Sequence, residues 1–91
     1  MLKIKDNFDL KELEKFGFIK NLRKQRYERT YNGFLGRIEN TNININTREI
    51  NVFIKSIMEI TKINDLFQLG YFTHNEDLIQ AGLVEKVVEE W

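Results

Sequence analysis

The sequence predicts an α+β fold: an antiparallel β-sheet of about four to five strands, a meander of hairpins, packed against two or three short helices. Three observations predict it. Helix punctuation, a capping residue before the first turn and a glycine after the last, occurs near both ends of the chain. An Asn32-Gly33 pair flanked by Tyr31 and Phe34 has the composition of a tight hairpin turn. Alternating apolar positions fill the stretch from Tyr27 to Ile54. Ninety-one residues supply one hydrophobic core and not two, so residues 1–91 are expected to form a single domain.

Taken in order, Asp9 followed three residues later by Glu12 forms a capping box that starts a helix at about Leu10, with Phe8 placed to staple onto Leu13. Gly17 supplies the left-handed residue that ends it, and Phe18 folds back on Leu13. In a type I′ turn at Asn32-Gly33, Tyr31 meets Phe34, Arg29 meets Gly36 and Tyr27 meets Ile38 on one face. The other face pairs Thr30 with Leu35, Glu28 with Arg37 and Arg26 with Glu39. Past Ile38 the apolar positions change phase to Ile43 and Ile45, which requires a turn or bulge around Glu39 to Asn42. A second hairpin closes through two or four residues near Asn46 to Glu49, with Ile45 opposite Ile50 and Ile43 opposite Val52.

Ser56 with Glu59 forms another capping box and predicts a helix over Ile57 to Leu69, whose Ile57, Ile60, Ile63, Asn64 and Phe67 share a face. Ile and Thr in its first half also suit a strand. Asp65 to Phe72 is echoed by Asp77 to Val84, each a helix, a Gly stop and an apolar pair. Leu83 to Val88 reads as a terminal strand joining the sheet, trailed by Glu89, Glu90 and Trp91.

Composition excludes most catalysis. There is no Cys, Ser56 is the only serine and His74 the only histidine, which removes disulfides, thiolate chemistry and histidine-clustered metal sites and leaves one Ser–His combination. The glycines form no phosphate cradle, and Asp6, Asp9, Asp65, Glu76 and Asp77 match no calcium-loop spacing. A non-enzymatic protein with no cofactor and no metal is expected. The start, MLKIKDNF, has no apolar signal core and no spanning run, so no membrane association is expected and the cytoplasm is the expected address.

Charge points to a binding surface. The 14 basic and 14 acidic residues cancel, yet residues 1–37 carry net +5 and residues 38–91 net −5. Lys20, Arg23, Lys24, Arg26 and Arg29 interleave with Tyr27 and Tyr31, a composition able to hold phosphates and stack bases. The predicted register gives Arg26 and Arg37 acidic partners and turns the tyrosines toward the core. Lys20, Arg23, Lys24 and Arg29 then remain as binding candidates, Arg29 stacking between Tyr27 and Tyr31 or reaching the sheet edge. Asn42, Asn44 and Asn46 alternate with Ile43 and Ile45, as on an edge strand open to strand addition. Trp91 is either a partner anchor or docks on its own sheet, and His74, in a loop before a helix, is exposed or capping.

The blocks DLKELEKFGF and DLIQAGLVEKV, around the NG hairpin and the TREI stretch, resemble small uncharacterised accessory proteins encoded by phages and prophages of AT-rich bacteria. The resemblance implies a protein that binds a host or phage protein, including inhibitors of bacterial defence systems, anti-CRISPR-like or other, in the cytoplasm of the bacterial host. It carries over no site residues. The alternative is a small nucleic-acid-binding module using the Lys20 to Arg29 segment. A homodimer through the sheet edge is compatible with either.

Overall fold

A computed structural model describes residues 2–33, 36–56, 60–63 and 73–87. Among the described residues seven strands form one antiparallel sheet: β1 (Leu2–Ile4), β2 (Ile19–Asn21), β3 (Arg26–Asn32), β4 (Ile38–Asn44), β5 (Glu49–Lys55), β6 (Ile60–Ile63) and β7 (Val84–Lys86). Their order is β2-β3-β4-β5-β1-β7. The outer side of β5 is divided between β1, which pairs with Glu49 and Ile50, and β6, which pairs with Val52 to Lys55. A 3₁₀ helix (η1, Leu10–Phe16) and a short α-helix (α1, Glu76–Gln80) pack against one face. The sheet is larger than the four to five strands expected. Strands β1 and β2, at three residues each, are too short to announce themselves by alternation.

Both helix stops behave as predicted and share one motif. At η1 the Phe18 N–H bonds to the Leu13 carbonyl and the Gly17 N–H to that of Glu14. At α1 the Leu83 N–H bonds to the Leu78 carbonyl and the Gly82 N–H to that of Ile79. Gly17 and Gly82 hold φ of +87° and +72°, the left-handed residue this Schellman geometry needs. In each case the leucine whose carbonyl is capped is fully buried. Asp9 caps η1 by accepting from the Lys11 N–H. The similar helix end expected over Asp65 to Phe72 lies outside the described residues.

The first hairpin differs from expectation. Neither Asn32 nor Gly33 has positive φ; Gly36 does, at +73°, and the Gly33 N–H donates to the Arg37 carbonyl across a loop of residues 33–37. Tyr27 consequently pairs with Ile43, Arg29 with Thr41 and Tyr31 with Glu39. The cause lies one strand further on, where β4 pairs with β5 so that Ile43 meets Ile50 and Thr41 meets Val52. That commits the odd positions of β4 to the core side. A two-residue turn at Asn32-Gly33 would pair odd β3 positions with even β4 positions, setting Tyr27 on the side away from Ile43. The longer loop restores the phase. No turn or bulge interrupts Glu39 to Asn42, because Ile38 simply belongs to the opposite face and is exposed.

The Glu28–Arg37 and Arg26–Glu39 pairs accordingly do not form. Arg26 bonds to Glu28 two residues along its own strand, and Arg37 lies 3.0 Å from Glu39 in the same way. The second hairpin has the four-residue loop Ile45 to Arg48, with Asn44 Oδ1 accepting from the Asn46 and Thr47 N–H groups. Its register is shifted by two residues from the expected one, which preserves the faces. The predicted helix over Ile57 to Leu69 is replaced at Ile60–Ile63 by β6, whose β-branched residues complete the free half of β5. Its remaining residues lie outside the described ones. The terminal strand is present as β7 and pairs with β1.

The core fills the side bearing the helices: Leu2 and Ile4 of β1, Tyr27, Ile43, Ile50, Val52 and Ile63 from the sheet, and Leu13, Phe18 and Leu78 from the helical segments. Burial of Tyr27, with the nearby Glu14 and Asp9 charges, pushes its phenol above the usual range. Among the described residues no helix is long and apolar enough to cross a membrane.

Because nothing lies within 4 Å of a methyl group added at Gly82, Gly82→Ala isolates the backbone strain of its φ of +72°. Urea denaturation should show a loss of about 1 kcal/mol, and Gly82→Asn a smaller one, since Asn tolerates the left-handed region.

Candidate functional site

Polar side chains at inward parity must find partners, and Arg29 finds five. From the core side of β3 its Nη1 donates to the Phe16 carbonyl at 2.9 Å and to Asp77 Oδ2 at 2.7 Å. Nη2 donates to the His74 carbonyl at 3.0 Å, Asn75 Oδ1 at 2.8 Å and Asp77 Oδ1 at 3.1 Å. The guanidinium lies over the Phe18 ring at 4.5 Å. A planar fork serves two carboxylate oxygens and three further acceptors as no ammonium can. Arg29 is therefore a structural staple joining β3, the end of η1 and the start of α1, not a free charge and not stacked between the two tyrosines.

Beside it, Asn75 is fully buried and accepts from Thr41 Oγ1 at 3.0 Å while donating to Thr73 Oγ1. It precedes α1 but makes no side-chain cap, its amide being committed to Arg29 and Thr41. Glu39 is 2% exposed. Its Oε2 accepts from the His74 N–H and meets His74 Nδ1, both at 2.9 Å, and the His74 ring stacks on Tyr31 at 3.5 Å between centroids. Glu39 Oε1 lies 3.0 Å from Arg37 Nη2, off the hydrogen-bond direction. These groups border a cleft of about 250 Å³. A histidine–carboxylate pair is half of an acid–base site, but its neighbours Thr41 and Asn75 are bonded to one another, and the cluster's evident work is to hold the 73–75 loop on the sheet. His74 is thus exposed, as expected, yet tethered rather than capping.

The opposite face of the sheet carries a different chemistry. Across β3, β4, β5 and β6, cross-strand rows read Glu28, Asn42, Asn51; then Thr30, Asn40, Phe53, Lys62; then Asn32, Ile38, Lys55, Ile60. Two depressions, of about 330 and 360 Å³, adjoin along these rows and share Arg26, Asn42 and Phe53. Lys24 and Lys62 border the first, Lys55 the second, and no described carboxylate lines either. Glu28 lies in the first of these rows, directly across from Asn42, held by Arg26 and, at 3.4 Å, by Asn21. Burial acts to raise its carboxyl, but the bonds from Arg26 and Asn21, with the Arg26 and Lys24 charges, prevail and hold it below the ordinary value.

The structure brings Lys24, Asn42 and Asn44 of the sequence-predicted residues into one groove. Asn42 and Asn44 take the face opposite Ile43, as expected, but β4 lies between β3 and β5 and is no edge strand. Asn42 is only 6% exposed, and its Oδ1 has no hydrogen-bond partner. Lys20 lies on edge strand β2, Arg23 in the turn after it and Asn46 in the β4–β5 loop, all exposed and outside the groove. Trp91 lies outside the described residues. Sequence reasoning missed Asn51, Phe53, Lys55 and Lys62; the signal for the first three was the odd parity of β5 opposite Ile50, Val52 and Ile54, and Lys62 joins them only by pairing with Phe53. Among the described residues no group of three His, Asp or Glu side chains is placed to hold a metal ion.

Two outcomes are expected. Arg29→Lys keeps the charge but loses the fork, and should cost about 2 kcal/mol in urea denaturation. Glu28, with its folded-state value depressed below 4.5, adds stability above that pH which disappears as pH falls through the folded-state value. Glu28→Gln should flatten this acid limb of the stability profile; an unchanged limb would show that Glu28 is not its source.

No protein-family model, curated protein or solved structure matches this chain, so what the groove can bind is argued from its own residues.

Proposed function

We propose that the chain is a non-enzymatic protein-binding protein that docks an acidic surface of its partner on the sheet face opposite the helices. The observation that carries this reading is the juxtaposition of Ile38, Phe53 and Ile60, exposed by 38, 36 and 69%, with Lys24, Lys55 and Lys62 along two depressions lined by no described carboxylate, where Arg26 is already paired with Glu28. Exposed apolar side chains supply the surface to desolvate, and the surrounding cations steer and orient an acidic partner. A single strand of nucleic acid would meet the same cations. It would find in Phe53 the one aromatic platform among the described lining residues, with aliphatic Ile38 and Ile60 that offer bases little to stack on. The finer reading, a phage-encoded accessory protein that inhibits a bacterial defence system, takes the partner to be a host or phage protein and rests on the sequence resemblance.

Lys55→Glu combined with Lys62→Glu reverses two exposed charges and should leave stability within about 0.5 kcal/mol. In affinity capture from bacterial lysate, a stoichiometric protein retained by the wild type and lost by this variant is the expected result. Equal capture by both would place the interface elsewhere, and nuclease-sensitive capture would favour nucleic acid.

A further inference from the structure

An edge strand keeps half of its backbone groups free, and two hydrogen bonds fix which half in β6. The Ile45 N–H donates to the Gln25 carbonyl on the register of β3 with β4, and the Ile4 N–H to the Arg48 carbonyl on that of β1 with β5. Bonded and non-bonded pairs alternate along an antiparallel ladder. Counted through the sheet, both bonds give the same result: Val52 and Ile54 direct their N–H and C=O groups toward β6, where they meet Ile63 and Thr61. Ile60 and Lys62 therefore direct theirs away from the sheet, and among the described residues no strand lies on that side. Their side chains, across from Lys55 and Phe53, lie on the open face. Ile60 is 69% exposed, and Lys62 Nζ stands 5.9 Å from the centre of the Phe53 ring.

The other free edges lack this combination. The same alternation leaves only the Lys20 groups outward on β2, between a Phe18 N–H bonded to Leu13 and a Leu22 carbonyl bonded to Gln25. On β7 the bond from the Lys5 N–H to Leu83 turns the groups of Val84 and Lys86 outward, but their side chains, across from Ile4 and Leu2, lie on the helix side. We infer that the partner adds an antiparallel strand to the free side of β6, in the order acidic residue, any residue, apolar residue, with the carboxylate beside Lys62 and the apolar side chain beside Ile60. This rests on the reading of the face given above and adds how the partner joins it. The free backbone groups of Ile60 and Lys62 supply the attachment. Residues directly opposite in a ladder share a face, so the carboxylate meets Lys62 close to Lys55, on a surface lined by no described carboxylate. Antiparallel strands run opposite ways, which is why the residue opposite Lys62 comes first.

Amide hydrogen exchange of the full chain, followed by NMR, tests the edge and then the addition. In the free protein the Thr61 and Ile63 amides should exchange slowly and those of Ile60 and Lys62 fast; slow exchange at Ile60 and Lys62 would show the edge already covered and overturns the inference. The probe is an acetylated heptapeptide, Thr-Thr-Glu-Thr-Ile-Thr-Thr. It should slow exchange at Ile60 and Lys62 and bind more weakly as salt is added. Methylating the peptide nitrogen of Glu or of Ile should weaken binding about fivefold, the loss of one neutral hydrogen bond. Methylating the Thr between them, whose N–H points away from β6, should change it less than about twofold, and reversing the order to Ile-Thr-Glu should weaken it. Equal loss at all three nitrogens, equal binding of the reversed order, tighter binding of a helix-stapled acidic peptide, or no protection up to about 1 mM peptide each overturns the inference. Tighter binding of oligothymidine overturns it in favour of nucleic acid. Where Lys55→Glu with Lys62→Glu abolishes capture of the cellular partner, but that partner bound to the wild type leaves the Ile60 and Lys62 amides unprotected, the face stands and the added strand falls. Where the charge reversal leaves capture intact, the face itself falls.

Discussion

The arrangement depends on one guanidinium. Arg29 projects from the sheet into a space where an apolar residue could pack but could not satisfy the carbonyls of Phe16 and His74 or the side chains of Asn75 and Asp77. Both helices are short, too short to hold their conformation without tertiary support, and Arg29 bonds at the last turn of one and at the start of the other. The Phe16 carbonyl at the end of η1 takes a cation, as a helix C-terminus favours. Asp77 in the first turn of α1 gives the guanidinium a counter-charge. Distant segments of sequence are thereby joined at a single side chain, whose guanidinium also lies over the Phe18 ring.

Around this staple the sheet divides into two chemistries by parity alone. Tyr27, Ile43, Ile50 and Val52 fill the core side toward β5, while Arg29, Tyr31, Glu39 and Thr41 occupy the same side toward the 73–75 loop. That second group is held through the 73–75 loop, Arg29 and Thr41 on Asn75, Glu39 and Tyr31 on His74, and the buried charge of Glu39 is tolerated because His74 and Arg37 lie against it. The opposite side has the reverse economy. Its Asn residues and cations face outward around Phe53, and one acceptor, on Asn42, is left without a donor.

The same physical rule accounts for the readings that succeeded and those that did not. The two glycine stops were legible because a Schellman motif is local: a left-handed glycine and two backbone hydrogen bonds lie within six residues. The Asn-Gly hairpin was also a local signal, but its register is not. Turning at Asn32-Gly33 would have put Tyr27 out of phase with Ile43, and burial of that pair against Ile50 outweighed the preference of two turn residues. Ile60 to Ile63 met the same fate, because β5 had a free edge to fill and β-branched residues to fill it with.

Residue order by itself determined the helix ends, the antiparallel β character, the alternation that sets Asn42 and Asn44 opposite Ile43, and the want of cysteine or clustered histidine for catalysis. Tertiary structure decided the pairing register, the use of Arg29 as a staple, the tether between Glu39 and His74, and the meeting of Lys24 with Asn42, Phe53 and Lys62 in one groove. The division follows range. Caps and alternation are settled by neighbours in the chain, whereas a register shift of an odd number of residues moves every side chain to the other face, and only the summed burial of all the strands can choose between the two.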